Sequence, residues 1–176
     1  LAGLEHPGHR LCCTCMLTLG LRIGDVVRLT VQAIDSRQMV VRVLGKGNKE
    51  RVVPLPPRLL EALRQYWRTH RHPRWLFPNR TGTACLSRQT LHCAFALARD
   101  RLGLDRTLTP HVLRHTFATT LLQQGTDIRY VQLLLGHSTL AATQIYTHLT
   151  TPMQDQLRQQ LHRLCTGLLP EAGRDA

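Results

Sequence analysis

One stretch of this chain, residues 30–54, has the period-two hydrophobic pattern of β-strands, whereas the segments on both sides have helical periodicity. Residues 39–44 are rich in β-branched side chains, residues 45–48 have the composition of a tight turn, and residues 51–53 return to the strand pattern. An earlier strand near residues 32–34 would complete a small antiparallel sheet. The pattern therefore predicts a mainly α-helical domain with one small antiparallel β-sheet, an α+β fold.

The helical segments are bounded by residues that commonly begin or end helices. Ser87 and Asp127 can cap the N-termini of two helices, and Pro57 can start another. Gly136 can end a helix in the left-handed conformation. The length of the chain suits one domain with a buried core, so we expect residues 1–176 to form a single domain. We predict helices over residues 5–29 (with a break near Gly20), 57–70, 87–102, 110–125, 127–136, 139–148 and 152–166.

The charge of the chain is strongly positive. It has 23 Lys and Arg residues against 11 Asp and Glu residues, a formal net charge of +12. Such an excess favours a polyanionic partner, most simply nucleic acid. Only two of the basic residues are lysines, Lys46 and Lys49, and both lie in the predicted hairpin turn. Lysine can give up a proton and arginine cannot, so the turn is either a solvated hairpin tip or a place where chemistry needs a proton donor.

The six cysteines do not have the spacing of a disulfide framework. No secretory signal precedes them, and the apolar run at residues 11–21 is too short to cross a bilayer. We therefore expect a cytoplasmic protein with reduced thiols and no membrane partner, and buried thiols in the N-terminal cluster. The chain starts at Leu1 rather than Met, which is compatible with a piece of a longer polypeptide. The cysteines are Cys12, Cys13, Cys15, Cys85, Cys93 and Cys165.

Side chains suited to phosphodiester chemistry are concentrated in the C-terminal half. His111 and Arg114 are three residues apart at the start of a predicted helix, so they share a face where backbone N–H groups also favour an anion. His137 and Tyr146 follow within one predicted helical hairpin. Alone, the first pair is a weak signal, and a surface coincidence explains it better. As a set, these groups can bind a phosphate, move protons and attack phosphorus, with tyrosine as the nucleophile.

Other functions can be weighed from the same residues. His111 and His115 have the spacing of a zinc-binding helix, but Val112 stands where that motif has glutamate. A metalloprotein using the histidine and cysteine clusters stays an alternative. A two-metal nuclease needs clustered carboxylates, whereas the eleven acidic residues are scattered. A helix-turn-helix regulator, with residues 116–140 as its motif, would leave the phosphate-handling residues without a role.

Several motifs match one known family. They are L-G-L-R-I-G-D (19–25), V-R-V-L-G-K-G-N-K-E-R-V-V-P-L (41–55), L-S-R-Q-T (86–90), T-P-H-V-L-R-H-T-F-A-T (109–119) and V-Q-L-L-L-G-H-S-T-L-A-A-T-Q-I-Y-T-H (131–148). In this order, and over nearly the whole chain, they resemble the catalytic domain of tyrosine recombinases, also called phage integrases. The Xer-type recombinases are the most similar members. The resemblance implies the catalytic-domain fold of that family.

The resemblance also implies an active site without a metal. Two arginines would bind the non-bridging oxygens of the scissile phosphate, and Lys46 would be the general acid for the leaving 5′ oxygen. One histidine would transfer a proton and bind the phosphate, the other would donate a hydrogen bond to it, and Tyr146 would be the nucleophile. The six residues would be Arg22, Lys46, His111, Arg114, His137 and Tyr146.

The implied activity is the cutting and rejoining of DNA strands through a 3′-phosphotyrosine, which needs no cofactor because one phosphodiester is exchanged for another. The implied partner is double-stranded DNA, with Arg88 and Gln89 at a DNA-facing helix start and Lys49 as a further contact. The resemblance implies a homo-oligomer (a tetramer on DNA) or assembly with a related recombinase protomer, at the bacterial nucleoid. The C-terminal helix and tail, residues 152–176, would dock on a neighbouring protomer or pack within the chain.

The chain departs from the family pattern in two respects. Asp25 stands where the family usually has Glu, and Gly24 replaces a common Ser, so we expect the support of Arg22 to differ. The N-terminal DNA-binding domain of the family has no counterpart in these residues. A catalytically inactive DNA-binding module of the same fold and a topoisomerase-like DNA-relaxing enzyme stay as alternatives.

Overall fold

A computed structural model shows a mainly helical fold with one three-stranded sheet, which confirms the predicted fold class. It describes residues 1, 3–44, 50–136, 151–166 and 168–169, with the side chains of residues 151–153 excepted. The helices in this part of the chain are α1 (Pro7–Leu19), α2 (Ile23–Val27), α3 (Pro57–His70), α4 (Arg88–Arg101), α5 (His111–Gln123), α6 (Ile128–Leu135) and α7 (Thr151–Thr166). The strands are β1 (Ile34–Asp35), β2 (Val40–Leu44) and β3 (Glu50–Pro54).

The sheet is antiparallel, with the strand order β1-β2-β3. Val41 pairs with Val53 in the β2–β3 hairpin, and Val43 pairs with Arg51. All four residues are buried, whereas their neighbours Arg42 and Val52 are more exposed. This alternation is the period-two pattern of the sequence, since successive side chains of a strand point to opposite faces. One face of the hairpin therefore belongs to the interior of the domain.

The first strand differs from its prediction. The sequence pattern suggested a strand near residues 32–34, but β1 begins only at Ile34, and the residues before it form a 3₁₀ helix, Val31–Ala33. Thr30 caps this helix, because its hydroxyl oxygen accepts a hydrogen bond from the backbone N–H of Ala33 at 3.2 Å. Such local side chain–backbone bonds compete with strand pairing, which explains the later start.

Four predicted helix caps are confirmed, whereas the helical segment predicted over residues 5–29 begins only at Pro7 and ends at Val27. Gly20 ends α1 in the left-handed conformation (φ 63°), and Gly136 ends α6 in the same way (φ 66°). Ser87 and Asp127 cap α4 and α6 by accepting hydrogen bonds from backbone N–H groups in the first turn, at 3.0 and 2.7 Å. These boundaries depend on local chemistry, which is why sequence alone predicts them. The helix predicted over residues 139–148 lies outside the described residues.

Helix α1 lies at the centre of the core and contacts α2, α3, α5 and α7. Cys12, Cys13 and Cys15 of this helix are fully buried, which confirms the prediction of buried thiols in the N-terminal cluster. Burial raises the pKa of the Cys13 thiol to about 12. Among the described helices, none is both long and apolar enough to cross a membrane.

Helix α7 packs on its own chain. Leu157, Leu161 and Cys165 are buried, and the helix contacts α1, α3 and β3. The side chain of Gln160 is buried beside them and joins α7 to the α5–α6 connection, because it bonds the hydroxyl of Thr126 (2.8 Å) and the carbonyl oxygen of Gln124 (3.0 Å). Docking on a neighbouring protomer therefore stays a prediction for the tail that follows this helix.

Candidate active site

Arg114 joins three helices. It projects from the first turn of α5, is half-buried, and donates a hydrogen bond from Nη1 to the carbonyl oxygen of Gly20 at 2.6 Å. A second bond runs from Nη2 to the carbonyl oxygen of Leu135, also at 2.6 Å. Both acceptors lie at helix C-termini, where carbonyl groups have no partner within the helix and the helix dipole is negative. The guanidinium is therefore held by the ends of α1 and α6.

Arg22 lies close to this guanidinium, two residues beyond Gly20 at the start of α2. Burial and, to a smaller extent, the positive charges of Arg22 and Arg51 together lower the pKa of Arg114 to about 10, while the carboxylate of Asp25 opposes this shift. The side chain stays charged at neutral pH, but in a site with more cations than anions. An anion bound here would relieve that repulsion, so the arrangement favours a phosphate.

The end of α1 comes very close to α5. A Cβ atom on Gly20 would lie 2.5 Å from Cδ1 and 2.6 Å from Cε1 of Phe117, a fully buried side chain. A real Cβ atom essentially never lies this close to a non-bonded carbon atom, so the approach of the two helices requires glycine at this position. The carbonyl group of Gly20 reaches Arg114 because the chain can turn at this residue without a side chain.

A buried ion pair lies beneath the arginines. Nη2 of Arg51 on β3 donates to Oδ2 of Asp25 on α2 at 2.8 Å, and the two side chains are only 3% and 6% exposed. Nε of Arg51 donates to the carbonyl oxygen of Leu134 at 3.0 Å. The same Asp25 oxygen accepts a hydrogen bond from the backbone N–H of Arg22 at 3.3 Å. Asp25 therefore supports Arg22 through its backbone, and its strongest partner is Arg51.

Arg51 is not among the residues predicted for the site, although the sequence contains a signal for it. Val53 and Arg51 are two residues apart on a strand, so they must point to the same face. That face is buried, and an arginine on it needs an acceptor or an anionic partner. The period-two pattern therefore marked Arg51 as an inward-facing charge, but it gave no indication that Asp25 is the partner.

His111 is the first residue of α5 and is exposed. It lies one helical turn from Arg114, on the face that the spacing predicts. The loop before α5 is held by Arg99, whose Nη1 donates to the carbonyl oxygens of Arg106 (2.7 Å) and Leu108 (3.2 Å). His115 is also exposed, and the described residues contain no group of three His, Cys, Asp or Glu side chains that could hold a metal ion.

Arg88 and Gln89 are exposed at the start of α4, next to the Ser87 cap. The side chains of Arg88 and Arg28 both pass close to Gly24 on α2, since a Cβ atom there would lie 3.7 Å from Cδ of Arg88 and 3.6 Å from Nη2 of Arg28. Two guanidinium-bearing side chains thus lie over the helix that begins after Arg22. The surface beside the candidate site is therefore basic.

Four predicted residues lie outside the described residues. Lys46 and Lys49 fall between Leu44 and Glu50, the last pair of the β2–β3 ladder. His137 directly follows the C-cap of α6 in the sequence, and Tyr146 precedes α7. The structure brings Arg22 close to Arg114, and His111 lies on α5 together with Arg114. The catalytic roles of all six residues stay predictions.

Comparison with known proteins gives a consistent result. The model of the phage integrase family matches residues 7–153. A putative integrase/recombinase, y4qK, of Sinorhizobium fredii is 47% identical over 149 residues, which cover 84% of this chain and 48% of the relative. The tyrosine recombinase XerD of Shewanella oneidensis is 41% identical over 150 residues, covering 81% of this chain and 50% of the relative. The chain thus spans about half the length of these curated relatives.

Among solved structures, the XerH site-specific recombinase in a pre-cleavage complex with its difH substrate is similar to this chain. The TM-score is 0.68 and the identity 27%, with 89% of this chain and 47% of the other covered. The arrangement of helices around a small antiparallel sheet is therefore shared with a recombinase whose structure contains DNA.

Proposed function

The chain belongs to the phage integrase family, and on that premise we propose that it is the catalytic part of a tyrosine recombinase. It would cut and rejoin DNA strands at specific sites through a 3′-phosphotyrosine. The observation that carries this proposal is the meeting of Arg22 and Arg114 at the ends of α1 and α6. Two guanidinium groups in a partly buried place, near an Asp25 carboxylate that is already paired with Arg51, form a receptor for one phosphate.

The proposed chemistry uses side chains alone. The phenolic oxygen of Tyr146 attacks phosphorus and forms a 3′-phosphotyrosine, while the bond to the 5′ oxygen breaks and Lys46 gives that oxygen a proton. The two arginines stabilise the charge that grows on the non-bridging oxygens, where one lost donor costs on the order of 10²–10³ in rate. His111 accepts the proton that the Tyr146 hydroxyl loses as it attacks, and it also binds the phosphate. His137 donates a hydrogen bond to the phosphate. Attack by a 5′ hydroxyl on the phosphotyrosine rejoins the strand, so no nucleotide cofactor is consumed.

The proposed partner is double-stranded DNA. The net charge of +12 and the basic surface over α2 support a substrate with a polyanionic backbone. Arg88 and Gln89, exposed at the start of α4, would contact the backbone or base edges, with Lys49 as a further contact. The proposal includes a tetramer on DNA, built from this protein alone or with a related recombinase, in which the tail after α7 docks on a neighbouring protomer.

A covalent-trapping experiment tests this function. The 176-residue chain is mixed at low salt with a pool of nicked duplexes of randomised sequence, in which cleavage releases a short fragment and prevents rejoining. We expect a protein–DNA adduct that survives denaturation, with the DNA attached through its 3′ phosphate, and its sequences would reveal the preferred site.

The control is Tyr146→Phe, which keeps the ring and removes the nucleophilic oxygen. We expect this variant to bind the same DNA and to form no adduct. If the wild-type chain binds DNA without forming an adduct, it is a catalytically inactive DNA-binding module. If it forms the adduct and also relaxes supercoiled plasmid without a second site, it is a topoisomerase-like enzyme. An adduct of normal yield in Tyr146→Phe contradicts the assignment of the nucleophile.

A further inference from the structure

We propose that Arg51 is a positioning residue of the strand-transfer site. It would hold the start of α2, the β2–β3 hairpin and the end of α6 in one fixed arrangement. The inference rests on the proposed function, because the elements it joins are those that carry, or directly precede, the proposed catalytic residues. Arg51 itself is only 3% exposed, so it acts through these neighbours rather than on DNA.

The first link runs to the end of α6. Arg51 donates to the carbonyl oxygen of Leu134 (3.0 Å), and Arg114 donates to that of Leu135 (2.6 Å), so two arginines hold consecutive carbonyl groups at one helix C-terminus. The fit is close, since a Cβ atom on Gly136 would lie 3.0 Å from Cδ of Arg51. Gly136 is the last residue before His137. The side chain of Arg51 therefore sets where the chain leaves α6.

The second link runs to the start of α2. Oδ2 of Asp25 accepts hydrogen bonds from Nη2 of Arg51 (2.8 Å) and from the backbone N–H of Arg22 (3.3 Å). One carboxylate oxygen thus connects the strand arginine with the backbone of a proposed phosphate-binding residue. If Arg51 were removed, Asp25 would keep a buried charge with its main partner missing. The backbone at Arg22 would then lose its fixed acceptor.

The third link is the hairpin itself. Arg51 pairs with Val43 in the β2–β3 ladder and follows Glu50, the first residue of β3, so it is five residues from Lys46 in the sequence. Its side chain anchors this strand to α2 and α6 at the same time.

Stability alone does not account for this arrangement. A buried ion pair usually stabilises a fold no better than well-packed apolar side chains of the same volume. Directional hydrogen bonds fix orientation, however, and apolar contacts do not. An ion pair with this geometry suits a site where a displacement of about 1 Å can slow chemistry by on the order of 10².

The experiment separates positioning from folding. Three variants are compared with the wild-type chain: Arg51→Met, Arg51→Lys, and a double variant in which Arg51→Met is combined with Asp25→Leu. Each is measured for its melting temperature, its affinity for duplex DNA, and its single-turnover rate of adduct formation on the nicked duplexes. The control is Arg42→Met, because Arg42 is exposed on the neighbouring strand and forms ion pairs with the surface carboxylates of Asp35 and Glu50.

We expect Arg51→Met to melt roughly 10 °C lower, because it leaves Asp25 buried without its partner. The double variant should regain most of that loss, since no buried charge remains. When they are assayed well below their melting temperatures, Arg51→Met and the double variant should form adduct on the order of 10²-fold more slowly than the wild type. Their affinity for DNA should change by less than about threefold. Arg51→Lys keeps the charge but cannot bond both helices, so its rate should recover by no more than about tenfold. Arg42→Met should match the wild type.

Two results would overturn the proposal, and they differ from a failure of the proposed function. If the folded double variant forms adduct at the wild-type rate, Arg51 is structural only. If the rate falls only in proportion to DNA affinity, Arg51 acts on binding rather than on the position of the reacting groups. A wild-type chain that forms no adduct contradicts the proposed function itself, and the positioning role falls with it.

Discussion

Arg114 donates a hydrogen bond to the carbonyl oxygen of Gly20 across 2.6 Å, so the turn after α1 and the first turn of α5 are held at one point. Gly20 can present this carbonyl because it adopts a left-handed conformation (φ 63°) and has no side chain to collide with Phe117. The proposed phosphate-binding arginine is thus oriented by a backbone group whose position depends on the absence of a Cβ atom. This dependence can be tested directly.

Gly20→Ala should destabilise the domain by about 2–4 kcal/mol, because it adds the strain of a left-handed alanine to a collision in the core. The measurement is the free energy of unfolding in urea. The matched control is Gly103→Ala, since Gly103 has nearly the same φ (62°) and an added Cβ there meets nothing within 4 Å. We expect the control to lose only about 1–2 kcal/mol. Equal losses in the two variants would show that the close approach to Phe117 has no energetic weight.

The parts of the fold that sequence predicted correctly are those with local causes. Helix ends at Gly20, Ser87 and Gly136 follow from residue types that suit a particular backbone conformation or accept a particular hydrogen bond. The two hairpin strands follow from alternating side chains on opposite faces. The first strand was predicted too early for an equally local reason, since Thr30 caps a 3₁₀ helix that the alternation pattern does not reveal.

The candidate site was predicted only in part, because its geometry is not local. Spacing placed His111 and Arg114 on one helix face, and the family motifs added Arg22. The partnership of Arg51 with Asp25 joins β3 to α2 and depends on how these elements pack, which neither residue's neighbours in the sequence reveal. Buried ion pairs across elements are for this reason visible in a structure and hidden in a pattern.

A small dianion should bind at the arginines and stabilise the domain. Burial, and then the charges of Arg22 and Arg51, lower the pKa of Arg114 to about 10, so a bound anion would offset the part of this shift that comes from charge repulsion. We expect sulfate at about ten times its dissociation constant to raise the melting temperature by about 3–5 °C relative to chloride of equal ionic strength. Arg114→Gln should remove this difference. Arg64→Gln, an exposed change on α3, should preserve it, and a loss in that control would mean non-specific anion binding.

The cysteines should react in two classes. Cys93 is exposed and Cys85 is partly buried, whereas Cys12, Cys13 and Cys165 are buried in the core. Burial raises the pKa of Cys13 to about 12, so at pH 8 only roughly 10⁻⁴ of that thiol is ionised, and only the thiolate reacts.

In a disulfide-exchange titration of the native chain at pH 8, we expect Cys93 to react within minutes and Cys85 more slowly. The four buried thiols, Cys15 among them, should react only after the chain is unfolded. The check is mass spectrometry of the labelled peptides. Rapid native labelling of any cysteine on α1 would contradict the packing of that helix at the centre of the core.

DNA affinity should fall steeply with salt, because each phosphate neutralised by a cationic side chain releases counterions and contributes about −0.9 to the slope of log K against log salt. Arg88→Gln should make this slope shallower by about 0.9 if Arg88 binds one phosphate, and should weaken binding to all duplexes alike. The measurement is fluorescence anisotropy with a labelled duplex at several salt concentrations.

Arg68→Gln is the control, since this arginine is exposed on α3 and pairs with Glu61. An unchanged slope in Arg88→Gln would remove Arg88 from the DNA-binding surface, and a loss confined to certain sequences would instead assign it to base edges.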